Sequence, residues 1–484
     1  MIPVLIAIGI TWLLGLCVVT VLLRGEGDTT LLERLCFAYP LGSGLIAFQL
    51  FYMGLLRIPL TQIHATVPVV IEIIALVLWL RKKNITLFPR PSAGLIREIA
   101  SPETPLLKKA ALGVLAAWVA VKLGSVFFET YLRPIYAWDA WAHWSIAAKE
   151  FYYAQNLMLD LPEAEFFGKG VAARYISNPL HNPLSQVWLG LWAGSFDEVL
   201  VKLWSPVYLL CTAVYLYCIA CREAGRLAAL GITVIFISSP LMSYHATEVY
   251  SDFPLGVHIF FAVAAFLSAM RGVQGFWPLV GIFSAQALFT KNEAPGMIIP
   301  LLISAMIYIW TNRARIPALK SFASLIVPFS LIVPWLVFKQ VNALSLIHDD
   351  QTFALQYQPA VVSQFLHEVL TLQSFNVFLI LLPLLIVVKV RLSREIAHLL
   401  VPVVCYAAFF VVVFSFIPGY YQWAFNSVQF YRNTLTFYPA IGLLTTLLLS
   451  ALVMESNHTA VAQVKPRLHR KVSKRLSRSN RSGT

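Results

Sequence analysis

Residues 110–144 read Ala110-Ala-Leu-Gly-Val-Leu-Ala-Ala-Trp118-Val-Ala-Val-Lys122-Leu-Gly-Ser-Val-Phe-Phe-Glu129-Thr-Tyr-Leu-Arg133-Pro-Ile-Tyr-Ala-Trp138-Asp139-Ala-Trp141-Ala-His143-Trp144. The apolar first part is as long as a helix needs to be to cross a hydrocarbon core of about 30 Å. It gives way to a polar, tryptophan-rich segment that carries an acid. The same alternation of long apolar run and charged connection fills the chain. Of 484 residues, 59% are hydrophobic and 12% charged, with a mean hydropathy of +0.74. No water-soluble core of this length hides that much apolar surface, so the solvent is lipid. Backbone groups in lipid must pair internally, in helices or in a closed barrel. The runs are continuous rather than alternating, which selects helices.

Thirteen transmembrane helices are expected, at about 2–23, 31–56, 63–80, 110–130, 199–221, 226–241, 250–270, 276–290, 295–311, 318–338, 374–390, 396–417 and 433–453. The fold class is therefore an all-α polytopic membrane protein. The first run lacks a basic leader and a convincing cleavage site, and reads as a retained helix. Orientation follows from Lys and Arg. The loop 81–109, the turns holding Arg222 and Arg226, Arg313 and Arg315, and Lys389 and Arg391, and the tail 455–484 all fall on one side if the N-terminus is outside. The net charge of +13 is spent on this pattern, so nucleic acid is not an expected partner. The six cysteines lie in or beside apolar runs and outline no disulfide framework.

Three parts follow: an N-terminal three-span segment with its basic loop (1–109), a transmembrane core (110–454), and a basic cytoplasmic tail (455–484). Outer loops are expected at 131–198 and 339–373. Within the first, the apolar stretch 180–195 starts at two prolines, Pro179 and Pro183. Counting it as a span would invert every later loop, so it reads as an interfacial or partly re-entrant helix. The membrane is expected to be the inner membrane of a prokaryote, with the C-terminus cytoplasmic.

Ionisable groups at a membrane face are functional candidates by default. Asp139 either caps the following helix or acts as a base; aromatic surroundings make a carboxylate a better base, and Trp138 and Trp141 offer faces that suit sugar rings, beside His143. The stretch Arg174-Tyr-Ile-Ser-Asn178-Pro-Leu-His181-Asn182-Pro183 is richer in polar side chains than a turn needs. The outer turn His245-Ala-Thr-Glu248-Val-Tyr-Ser-Asp252 could bind substrate hydroxyls or a divalent metal, or cap the next helix. Lys291 and Glu293 either neutralise each other or present a cation to the same outer cavity. Tyr431-Arg432 precedes the last span, and a lone Arg at that depth needs an anionic partner, to which phosphate is well suited.

On these features the chain resembles the C-type (GT-C) membrane glycosyltransferases, which include protein O-mannosyltransferases and lipid A aminoarabinose transferases. The likeness covers roughly residues 110–450. It rests on Asp139 at the start of a large outer loop, the proline-containing stretch from Asn178 to Pro183, Lys291-Asn292-Glu293 (with Ala294 where Gly is usual), and Arg432 followed by Pro439. The resemblance implies a polyprenyl-phosphate-linked sugar donor, a glycan, lipid or protein acceptor, and inverting transfer with Asp139 as general base. Arg432, Lys291 and Tyr431 would hold the donor phosphate. Trp138, Trp141, His143, Arg174, Asn178, His181, Asn182, Glu248, Asp252 and Glu293 would contact substrate. No cofactor is required, and a divalent metal is compatible with the site. The rival readings are a transporter or flippase of a lipid-linked saccharide, and a polysaccharide polymerase or ligase. The enzyme reading requires Asp139, Glu248, Asp252, Lys291 and Arg432 to share one outer cavity.

Overall fold

A computed structural model describes residues 1–24, 29–88, 101, 103–157, 178–342, 344, 356–371, 377–388, 392–425 and 430–453. Arg174, the basic tail, and parts of both outer loops and of the 81–109 loop lie outside the described residues.

All regular structure among the described residues is helical. Helices α1 (Ile2–Leu23), α2 (Leu31–Leu55) and α3 (Gln62–Lys82) form the N-terminal segment, followed by α4 (Leu106–Leu132). The segment 131–198 contributes a π-helical turn (Ala140–Ser145), α5 (Ile146–Ala154) and α6 (His181–Ala193). Next come α7 (Trp204–Ala224), α8 (Arg226–Ile237), α9 (Pro240–Thr247), α10 (Asp252–Met270), α11 (Trp277–Leu288) and α12 (Pro295–Thr311). The chain continues through α13 (Ala318–Phe329), α14 (Val333–Val341), α15 (Pro359–Thr371), α16 (Val377–Val387), α17 (Arg394–Phe416), α18 (Pro418–Phe425) and α19 (Phe430–Val453).

Nine spans are long and apolar enough to cross a membrane among the described residues, or ten if α8 and α9 count as one span bent by 64°. The bend falls at Ser238-Ser239-Pro240, where proline opens the second helix. Helices also occupy the other three expected positions, as α11, α12 and α16, but they are shorter. A 12-residue helix such as α11 rises only about 18 Å, against the roughly 30 Å of a hydrocarbon core.

Local chemistry sets the helix starts. Thr30 accepts from the Glu33 amide at 3.2 Å while the Glu33 carboxylate accepts from the Thr30 amide at 2.8 Å, a reciprocal cap on α2. Thr61 and Ser393 cap α3 and α17 the same way, through one bond each. Helices α1 and α2 cross closely because Gly42 meets the Thr11 carbonyl: a Cβ there would lie 2.0 Å from that oxygen.

The outermost helices present apolar side chains to their surroundings. Ile63, Val67, Ile71, Ile74 and Leu78 of α3, and Val114, Trp118, Val121 and Phe128 of α4, are all exposed. In lipid such a surface is solvated rather than a liability. Helix α10 is the opposite case. It stands at the centre, packed against α11 and contacting α2, α7, α12 and α17, and every residue from Asp252 to Leu267 is buried. Helix α6, expected at the interface or re-entrant, is enclosed by α1, α2, α3 and α5, and His181 through Leu191 are all buried.

Candidate active site at one end of the central helix

Asp252 is the first residue of α10, and the turn before it is held from two sides. The Asn182 side-chain amide donates to the Val249 carbonyl at 2.6 Å and to the Ser251 hydroxyl at 3.0 Å. Gln186, one turn further along α6, donates to the Asn182 carbonyl oxygen at 2.9 Å and accepts from Ser145 at 2.8 Å. This chain of buried amides links the 248–251 turn through α6 to the π-helical turn that begins at Asp139. From the other side, the fully buried ammonium of Lys202 donates to the Pro134 carbonyl at 3.3 Å and to Glu248 at 3.4 Å. The start of the outer loop and the start of α10 are thereby fixed to each other.

The last helix is brought in by a glycine. A Cβ on Gly256 would lie 2.9 Å from the Leu435 carbonyl oxygen, so α10 and α19 meet backbone against backbone. Their first turns then sit side by side, which places Arg432 against Asp252.

Five charged side chains meet there. The Asp252 Oδ2 accepts from Arg432 Nη2 at 3.0 Å and from its Nε at 3.2 Å. The Asp252 Oδ1 accepts from Lys291 Nζ at 2.8 Å. Each cation has a second carboxylate: Arg432 pairs through Nη1 with Asp139, and Lys291 lies 2.8 Å from Glu293. The Arg432 guanidinium also stands over the Tyr250 ring, 5.1 Å from its centroid. His143, one helical turn after Asp139, approaches the other Asp139 oxygen at 3.5 Å. The Asp139 side chain makes no capping hydrogen bond, so its carboxylate serves the cluster and not the helix.

Burial works to lower the lysine pKa at Lys291, but Asp252 and Glu293 outweigh it and hold the ammonium above the ordinary lysine range. Burial raises the Glu248 carboxyl above its ordinary value, against the pull of Lys202 and of the Tyr136 and Ala137 backbone donors.

Solved structures similar to this chain include two crystal structures of ArnT from Cupriavidus metallidurans, one bound to undecaprenyl phosphate and one in the apo state. Each gives a TM-score of 0.48, at 17% and 16% sequence identity respectively, over 70% of this chain. The chain spans about 60% of the length of either ArnT chain. At that identity the likeness concerns the course of the chain and not the chemistry of its side chains. No family model matches the chain, and no curated protein matches it.

Of the residues expected at the site, Asp139, Asp252, Lys291, Glu293 and Arg432 come together, with His143 beside Asp139. Trp138 and Trp141 are exposed next to Asp139, their rings 5.9 Å apart. Asn178 accepts from Asn292, whose side-chain oxygen accepts from Lys339 at 3.0 Å. Tyr431 donates to Glu368 of α15, so its hydroxyl is committed to the second outer segment. Four of the expected substrate contacts, His181, Asn182, Glu248 and Asp252, have no exposed surface in this structure. His181 lies against Tyr208 and His258, Asn182 organises the turn, and Glu248 pairs with Lys202. These contacts hold elements in place. Arg174 lies outside the described residues. As for a metal, no group of three His, Cys, Asp or Glu side chains suited to hold one forms among the described residues. The acids of the 245–252 turn face Lys202, Lys291 and Arg432 instead.

Lys202, Tyr250, Lys339 and Glu368 escaped the sequence reading. A signal existed for the two lysines: each sits at the end of an apolar run that the expected threading puts outside, where the positive-inside pattern leaves cations scarce.

Proposed function

We propose that this protein is a membrane glycosyltransferase that moves a sugar from a polyprenyl-phosphate carrier to an acceptor on the non-cytoplasmic face, with inversion and with Asp139 as general base. The observation that carries the reading is the convergence of Lys291 and Arg432 on Asp252, with the Asp139 carboxylate on the same guanidinium. Two cations one carboxylate apart suit the non-bridging oxygens of a phosphate. An acid beside that phosphate suits proton removal from the attacking hydroxyl.

The reaction balances with these groups alone. The acceptor oxygen forms a bond to the anomeric carbon as the bond from that carbon to the phosphate oxygen breaks. The acceptor proton passes to Asp139, and the leaving electron pair stays on the phosphate. Arg432 and Lys291 meet the charge that grows there. The exposed Trp138 and Trp141, next to Asp139, offer aromatic faces to the sugar that carries the oxocarbenium-like centre. Asn178 and Asn292, hydrogen-bonded to each other at 3.3 Å, are the groups assigned to the acceptor hydroxyls in this proposal.

Sidedness belongs to the same proposal. The cluster is at one end of α10. Just past the other end, Arg271 pairs with Glu223 and Glu395, among the basic turns that the positive-inside rule assigns to the cytoplasm. Thirteen crossings with the N-terminus outside put the cluster on the outer face. They are supported by a helix or bent helix pair at each expected position.

The test is transfer in liposomes with a labelled lipid-linked sugar. Asp139→Asn is expected to fold and to lose transfer; full activity would remove the base. Arg432→Ala is expected to raise the donor KM, and unchanged donor dependence would remove the phosphate role.

A further inference from the structure

The charged cluster closes on itself. Each cation holds two carboxylates, and one of the two, Asp252, is common to both. The three acids are not equivalent. The Asp252 side chain is wholly enclosed, whereas those of Asp139 and Glu293 are 20% and 37% exposed. The enclosed acid holds the cations in position, and each of the two acids that face solvent takes a further donor from Arg432 or Lys291. An anionic ligand therefore meets cations whose charge is already balanced by carboxylates. It gains most by taking the place of Asp139 on Arg432, of Glu293 on Lys291, or of both.

We propose that the Asp139 and Glu293 carboxylates are place-holders for a phosphate, which exchanges with both of them while Asp252 stays in place. This rests on the function proposed above and deepens it. A phosphodiester has two non-bridging oxygens, one for each cation, so a single ligand replaces two carboxylates at once. Exchange is easiest for partly exposed pairs, whose net stabilisation is small, and hardest for an enclosed carboxylate that would be left without a partner.

The exchange has a catalytic consequence. While Asp139 is bound to Arg432, its oxygen is committed as an acceptor of guanidinium hydrogen bonds. Once the phosphate takes that guanidinium, Asp139 is released beside His143 to receive a proton. The base is exposed only when a donor phosphate is present, and the order of binding is donor first, then acceptor. Glu293 acts on the same exchange from the other cation without touching the reacting centre.

The test uses the full chain in nanodiscs, with farnesyl phosphate and farnesol as probes, and reads Kd by titration. Wild type is expected to bind farnesyl phosphate in preference to farnesol. Glu293→Gln and Asp139→Asn, each of which removes one competing charge and keeps the shape, are expected to bind farnesyl phosphate about fivefold more tightly, the scale of a partly exposed ion pair. If wild type prefers farnesyl phosphate but neither variant binds it more tightly, the place-holder role is overturned and the phosphate site stands. If wild type does not distinguish the two probes, the phosphate site falls and the place-holder role falls with it.

Discussion

Asp252 gives one oxygen to a lysine and the other to an arginine, and much of the site depends on that division. Replacing it with Asn leaves two like charges facing each other, each with only its partly exposed second carboxylate. Asp252→Asn is expected to destabilise the protein by about 3–5 kcal/mol, as removal of one partner from a buried pair does, and to lower the Tm in detergent. A Tm equal to wild type would show that the two cations are not held by this carboxylate. Lys291 gives a pH prediction. Its pKa is held above the ordinary lysine value, so its stabilising contribution is complete below about 10.4 and is lost only as the pH rises past the shifted value. Farnesyl phosphate binding should therefore be flat between about pH 7 and 9 as far as this cation is concerned. A fall across that window in wild type, absent in Lys291→Arg, would contradict it. Asp139 and Arg432 were legible as an acid and a cation out of place in lipid. That they bind each other was not. Their sequence surroundings carry no trace of a partner hundreds of residues away, and the anion that Arg432 needs is supplied by the protein itself.

At the scale of elements, hydropathy placed a helix at every expected position because apolar length is a local property of the chain. It was silent on which helices are full spans, since the ends of α11 and the break between α8 and α9 depend on proline and on neighbours. It also could not see that α6 is packed inside the protein, where its amides are structural. Asn182→Ala should leave the Val249 carbonyl and the Ser251 hydroxyl without their donor, at a cost of about 1–3 kcal/mol. It is also expected to lower kcat more than it raises the donor KM, since Asn182 orders the Asp139 and Asp252 turns. A pure KM effect would contradict that positioning role. Gly256→Leu tests the backbone contact of α10 with α19. A Cβ 2.9 Å from the Leu435 carbonyl, with a branched chain beyond it, must push the two helices apart and carry Arg432 away from Asp252. Binding of farnesyl phosphate should be lost, and Gly256→Ala should fall between the two.

For the whole molecule, the proposed sidedness can be tested directly. Ser195, exposed in the connection after α6, and Arg313, exposed in the turn after α12, belong to opposite faces in the proposed threading. In sealed right-side-out vesicles a membrane-impermeant maleimide is expected to label Ser195→Cys and spare Arg313→Cys, with the pattern reversed in inverted vesicles. Labelling of both from one side would reject the thirteen-crossing arrangement.

Helix α10 is tied at both ends. Asp252 anchors one, and Arg271, one residue past the other, is anchored by Glu223 and Glu395. Its 19 residues span about 28 Å, close to the thickness of a hydrocarbon core. A helix pinned in this way can neither slide along its axis nor tilt without breaking ion pairs at one face. When the surrounding bilayer is thicker or thinner than this strut, the lipid must stretch or thin to meet the protein, since the protein cannot lean to meet the lipid.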